Sequence, residues 1–253
     1  WLTVWCIGTI GSIYAILGGL KAVAVSDAFN AIGLLIGGIL IPIFGLLAVG
    51  SGNLQDGVML LYTSHPNKFV STGGQDSSIP ISTLFTGMML VQLFYWGTNQ
   101  AIIQRALGAK NLKEGQKGLF LAAFIKILGP IIVVLPGIIA FHIFGHSLNN
   151  PDEAYPALVK AVLPKAWIGF FAAVLFGAIL SSFNSTLNSS VTLFGLGIYK
   201  SYINKDATES KIVKKGKLFG IGLTVVALFI APMLMYAPEG LFAYLQEVNG
   251  IYS

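Results

Sequence analysis

The sequence predicts an all-α membrane protein, and three observations carry that prediction. Of 253 residues, 55% are hydrophobic and only 10% charged, with a mean hydropathy of +0.78; a soluble domain would be about a quarter charged. Several stretches of about 20 residues carry few charges, the length a helix needs to cross a bilayer. The 30 glycines agree, because glycine is commoner in membrane helices than in soluble ones.

Seven apolar segments follow in order: 1–20, 28–50, 81–104, 118–143, 166–199, 218–236 and a truncated one from about 240. That reading gives about six full transmembrane helices plus a truncated seventh, in one transmembrane domain over 1–253. The fifth segment is long enough to extend a turn or two beyond the hydrocarbon. The chain starts at Trp1 without a signal-peptide pattern and stops at Ser253 inside an apolar stretch. It reads as the middle of a longer protein.

The loops divide sharply by charge. Loops 21–27, 105–117 and 200–217 hold 11 of the 15 basic residues, and the alternate set 51–80, 144–165 and 237–239 holds 3. Cytoplasmic loops are the lysine- and arginine-rich ones, so 105–117 and 200–217 are placed inside and the two long loops outside. Orientation therefore accounts for the net charge of +5 without nucleic acid. Loop 51–80 surrounds an apolar VMLLY patch and suits a short surface helix; Asn149-Asn150-Pro151-Asp152 suits a turn and a helix cap.

Polar residues inside spans are the candidate functional groups, since they are costly in lipid. The third segment carries Gln92, Tyr95, Thr98, Asn99 and Gln100 around Gly97. A helix interrupted there would resemble the broken helices at which transporters bind solute and ion; ordinary hydrogen bonding between packed helices is the competing reading. Lys126 lies about 12 Å into the fourth segment. Its ammonium either snorkels to the interface or, with Pro130 and Pro136 bending the helix, turns inward toward a hydroxyl-rich solute. In the fifth segment Ala178, Ser181, Ser182, Ser185 and Ser189 share one face. Close packing explains such a stripe, and so does a weak site for a small hard cation that prefers oxygen. Asp27 either caps the second span or serves a cation path. Near the end, Phe242 and Gln246 are four apart on one face.

Several classes are disfavoured. Cys6 is the single cysteine, which leaves no internal disulfide or cysteine metal site. His142 and His146 have metal-like spacing but no further ligands, and a metal there is set aside. Nucleophile–base, Walker, GxGxxG and zinc patterns are missing from the sequence, and nothing points to catalysis.

These residues carry a resemblance. YWGTNQAIIQRALGAKN followed by GLFLAAFIKILGPIIVVLPGI, with YAILGGLKAVAVSDAFNAI, AILSSFNSTLNSSVTLFGLGIYK and LFAYLQEVNG, resembles the sodium/solute symporters, specifically their sodium/glucose cotransporter branch. The resemblance implies the leucine-transporter-like core of two inverted five-helix repeats, with 1–50 as the last two helices of the first repeat and 81–253 as most of the second. It implies Na⁺-coupled symport of a monosaccharide, glucose- or galactose-like, into the cell by alternating access. The implied partners are the solute, Na⁺ and the bilayer, with Na⁺ as coupling ion and no cofactor. The implied location is the plasma membrane, or the inner membrane in a Gram-negative cell. Gln92, Tyr95, Lys126 and Gln246 are implied as sugar contacts, and Tyr95 and Phe242 as gates. Na⁺ is implied at Ala178, Ser181 and Ser182, with Asp27 on its exit path. Gln92 stands where relatives carry Asn or Thr. Symport of myo-inositol, an amino acid or a carboxylate is the alternative; an enzyme or channel subunit is a more distant one.

Overall fold

A computed structural model describes residues 1–70, 81–145, 147, 148, 150–236, 244 and 248. In chain order its α-helices are α1 (Leu2–Val49), α2 (Leu54–Ser64), α3 (Gly87–Gly97), α4 (Gln100–Leu107), α5 (Leu112–Lys126), α6 (Leu135–Phe144), α7 (Ala154–Val162), α8 (Lys165–Thr192) and α9 (Glu209–Ile230). A π-helical turn (Pro130–Val134) joins α5 to α6, and a π-helical run (Leu193–Ile203) extends α8. There is no strand among the described residues.

The first departure from expectation is at 21–27. Composition predicts a loop there, but no glycine or proline lies between Leu20 and Ile32, and the backbone stays helical throughout. α1 is nevertheless two arms and not one rod. Gly11 lies against Leu180 and Phe183, Gly33 against Val174 and Gly37 against Phe171. Asn30 donates to the Gly177 carbonyl at 3.1 Å. In a straight helix Gly11 and Asn30 would be about 28 Å apart, yet both meet the same short part of α8. The second arm descends α8 as its own numbering rises, whereas the first arm runs upward, with Ile16 near Val191 around Gly220. The chain therefore doubles back, and the expected two segments survive without the loop between them.

The charged loops also shrink. The connection before α5 is only 108–111, because Asn111 accepts from the Glu114 N–H at 2.9 Å and starts the helix early. Lys113 and Lys117 thus sit on α5, with Lys117 paired to Glu114 at 2.8 Å. Likewise 200–217 reduces to 204–208 between the π-helical run and α9. Asn150 caps the turn before α7 through the Asp152 N–H, as its sequence suggests, and α2 is the short helix expected within 51–80.

As continuous spans, Val23–Val49, Lys165–Ile203 and Glu209–Leu234 are long and apolar enough to cross a membrane. Leu112–Lys126 and Pro130–Phe144, bent by 41°, make a fourth if taken together, while Leu2–Gly18 is shorter. The bend falls where Pro130 removes a helix donor. The third segment is divided into α3 and α4.

The apolar core gathers where the second arm of α1, α2, α6, α7 and the start of α8 converge, on Ile41, Leu61, Ile139, Leu158 and Phe171. Glycines permit the close approaches, as small residues do between membrane helices. At Gly57 of α2 an added Cβ would overlap the Leu46 carbonyl oxygen of α1. Gly57→Ala is expected to cost about 1–3 kcal/mol of unfolding free energy by overpacking, read as a lowered Tm in detergent. Gly222→Ala in α9, with nothing within 4 Å of the new methyl, serves as the control that keeps or gains stability. Equal Tm values for the two variants would refute the α1–α2 approach.

Candidate functional site at the broken helix

The third segment breaks because its own polar residues satisfy the ends. Thr98 closes α3 with both its N–H and its hydroxyl on the Phe94 carbonyl, at 2.9 and 3.0 Å. Asn99 leaves helical geometry, with φ −65° and ψ 114°, and its side chain accepts from the Ala101 N–H at 3.0 Å to open α4. The interruption that the sequence allows is present.

Beside the break lies a cavity of about 700 Å³ between the second arm of α1, α3–α5 and α8. Tyr95, Trp96 and Asn99 line it from the broken segment, Asp27 and Asn30 from α1, and Ser181, Ser182 and Ser185 from α8. Six of the sequence candidates (Asp27, Tyr95, Asn99, Ser181, Ser182 and Ser185) thus share one wall system.

Arg105 ties these walls together. Its guanidinium donates to the Asp27 carboxylate and to the Ser185 hydroxyl, and at 2.8 Å to the Ala101 carbonyl. The ion-pair side chains are 32% and 16% exposed for Arg105 and Asp27, so solvent screens the pair only partly. Gln104, buried beside it, donates to the Ser185 carbonyl at 3.4 Å. Sequence reasoning missed Arg105 by counting it among the orientation charges of a loop. The signal available was Asp27, since a carboxylate at the end of an apolar span calls for a partner once it is buried. The capping role open to Asp27 is overturned, because α1 is helical on both sides of it. Its anionic way-station role must now share the carboxylate with Arg105.

On α8 the small-residue stripe divides in two. Ser185 and Ser189 are buried, as close packing requires. Ser181 is half-buried and Ser182 exposed. Their carbonyls accept from Ser185 at 2.6 Å and Thr186 at 3.1 Å. Their own hydroxyls have no hydrogen-bond partner among the described residues, which leaves oxygens of the kind a small hard cation takes. Ala178, half-buried one turn earlier, lies outside the cavity wall. No cluster of three His, Cys, Asp or Glu side chains is found among the described residues.

Gln92 and Lys126 meet at Trp96 rather than in the cavity. The Trp96 indole donates to Gln92 Oε1 at 3.1 Å. Lys126 Nζ stands 4.6 Å from the Trp96 ring centre and 5.6 Å from that of Tyr95, a cation–π arrangement. Neither reading of Lys126 anticipated this, and Trp96 was not singled out. Phe242 and Gln246 lie outside the described residues, as does His146.

Fold and site together define a multi-pass helical membrane protein with a discontinuous helix beside a cavity that polar side chains enter. The chain belongs to the sodium:solute symporter family, whose model matches residues 1–253. Over 253 residues it is 48% identical to "Uncharacterized symporter YidK" of Escherichia coli (strain K12), covering 100% of this chain and 44% of that one. It is 36% identical to the sodium/glucose cotransporter of Vibrio parahaemolyticus, over 95% of this chain and 48% of that protein. Sodium/myo-inositol cotransporter 2 of Homo sapiens is 30% identical, over 95% and 40% respectively. The chain therefore spans about half the length of the curated relatives it matches. A solved Na⁺-coupled sialic acid symporter, described as substrate-bound and outward-open, superposes with a TM-score of 0.78 at 22% identity, over 94% of this chain and 52% of that one. That likeness establishes the fold.

Removing Arg105 strands a mostly buried carboxylate. Arg105→Ala is expected to destabilise by about 1–3 kcal/mol, the scale of a charge-assisted hydrogen bond left unmade. Asp27→Asn in the same background should recover part of that loss. Additive losses in this double-mutant cycle, measured by unfolding in detergent, would rule out the pairing.

Proposed function

We propose that the chain forms part of the core of a symporter that carries a glucose- or galactose-like monosaccharide into the cell with Na⁺, by alternating access in the plasma membrane. The observation that supports this reading best is the shared cavity, where a broken helix bearing Tyr95 and Asn99 faces the free hydroxyls of Ser181 and Ser182. Residues 1–50 would be the end of one inverted repeat and 81–253 most of the other.

In this reading Na⁺ takes the Ala178 carbonyl and the Ser181 and Ser182 hydroxyls. These neutral ligands give weak, reversible binding, as a coupling ion needs. Gln92, Tyr95, Lys126 and Gln246 hydrogen-bond or stack on the sugar, while Tyr95 and Phe242 gate it. Each charge carried inward gains about 2.3 kcal/mol per 100 mV of membrane potential, enough to drive a neutral solute uphill. Inward release passes Ser182 and reaches Asp27, where the ion competes with Arg105 for the carboxylate. A second reading, a cyclic polyol as solute, is favoured by the 30% identical sodium/myo-inositol cotransporters.

Solute-stimulated ²²Na⁺ uptake by the full-length protein in proteoliposomes tests both parts. Ser182→Ala is expected to raise the Na⁺ concentration for half-maximal uptake about tenfold, the loss of one ion-directed hydroxyl. Unchanged Na⁺ dependence would remove Ser182 from the ion site. Lys126→Ala is expected to weaken solute competition by a similar factor, about tenfold. If neither glucose nor galactose competes but myo-inositol does, the polyol reading replaces the monosaccharide one.

A further inference from the structure

A second cavity of about 330 Å³ lies away from the transport site, between the first arm of α1, the end of α8 with its π-helical extension, and α9. Its walls are largely apolar, with Ile16, Leu187, Val191 and Ile212 among them. Three polar side chains interrupt them, and of these Thr192 donates its hydroxyl to the Asn188 carbonyl at 2.8 Å. Asn188 brings a buried Nδ2 that has no hydrogen-bond partner. Lys217 is half-buried, and among the described residues its ammonium forms no salt bridge. Lys217 presents only donors and a positive charge, and the Asn188 amide adds an unsatisfied donor beside it. An occupant that satisfies them must be rich in acceptors and anionic, and it must also have an apolar part for the walls.

The position along the helices narrows the choice. Asn188 is about 34 Å along α8 from Lys165, just past the thickness of about 30 Å of the hydrocarbon layer. Lys217 lies about 12 Å into α9 from Glu209. The cavity thus sits where one end of the bundle meets the polar boundary. That end carries Lys200, Lys205, Lys211, Lys214, Lys215 and Lys217 against only Asp206 and Glu209. A basic pocket between membrane helices beside a lysine-rich surface suits an anionic headgroup from the adjoining leaflet.

We propose that this cavity binds an anionic phospholipid, with its phosphate accepting from Lys217 Nζ and Asn188 Nδ2 and an acyl chain lying along Leu187, Val191 and Ile212. The lipid would seat the π-helical end of α8 against α9, beside a contact already made by the stacked Phe194 and Phe219 rings and by Gly195 and Gly216, whose added Cβ atoms would lie 3.1 and 3.0 Å from Ile212 and Val191. This site is independent of solute identity.

Native mass spectrometry of the full-length protein in detergent tests it, titrating dioleoyl-phosphatidylglycerol, dioleoyl-phosphatidylcholine and free glycerol phosphate. Saturable phosphatidylglycerol binding is expected, with Lys217→Gln and Asn188→Leu each weakening it about tenfold. Lys217→Arg should retain the lipid, which separates loss of charge from loss of folding. The exposed Lys215→Gln should change affinity by about twofold or less. Equal binding of phosphatidylcholine, or an equal loss in Lys215→Gln, would reduce the effect to generic adsorption and overturn the site. Unchanged affinity in both cavity variants would also overturn it, and tight binding of glycerol phosphate would replace the lipid with a soluble anion.

Discussion

One guanidinium holds the site together. Arg105 on the short helix α4 reaches Asp27 on α1 and Ser185 on α8, so three elements distant in sequence are fixed at a single point. A charge taken out of water is tolerated only when it is paired or hydrogen-bonded. The pair therefore restricts where α4 can lie, and α4 in turn fixes the break beside the cavity. Neither α3 nor α5 has a fully buried residue in this chain. Their placement rests on α4 and on the contact of Lys126 with Trp96.

The discontinuities follow from the same constraint on polar groups. A backbone that leaves helical geometry in a membrane must have its donors and acceptors satisfied by protein. At the first break Thr98 and Asn99 do this with their own side chains. At the second, Pro130 begins a π-helical turn and the helix bends by 41°. Both deviations adjoin residues of the proposed solute site, which fits the tendency of transporters to bind at broken helices. α8 supplies the contrast. It is unbroken beside the cavity and offers side-chain oxygens from a rigid face.

The all-helical class and the broken third segment were legible in local sequence, because hydropathy and polar punctuation are local properties. So were Tyr95, Ser181, Ser182 and Asp27 as candidates, and the structure brings them to one cavity. Arg105 was not legible, because its composition and spacing match an ordinary loop charge; only the approach of α4 to α1 gives it a partner. The seven-residue loop at 21–27 was misread for a related reason. The glycines that usually accompany a reversal of chain direction, Gly18 and Gly19, stand just upstream of Lys21–Asp27.

By itself, then, the sequence determined an all-helical membrane protein and the polar residues that lipid would not tolerate without a purpose. Tertiary structure decided which of those residues meet. It paired Asp27 with Arg105, set Lys126 on Trp96, and divided the serine stripe into buried packing and open hydroxyls. The physical reason is that the cost of a polar group in a membrane is fixed locally, while the partner that relieves it comes from another helix.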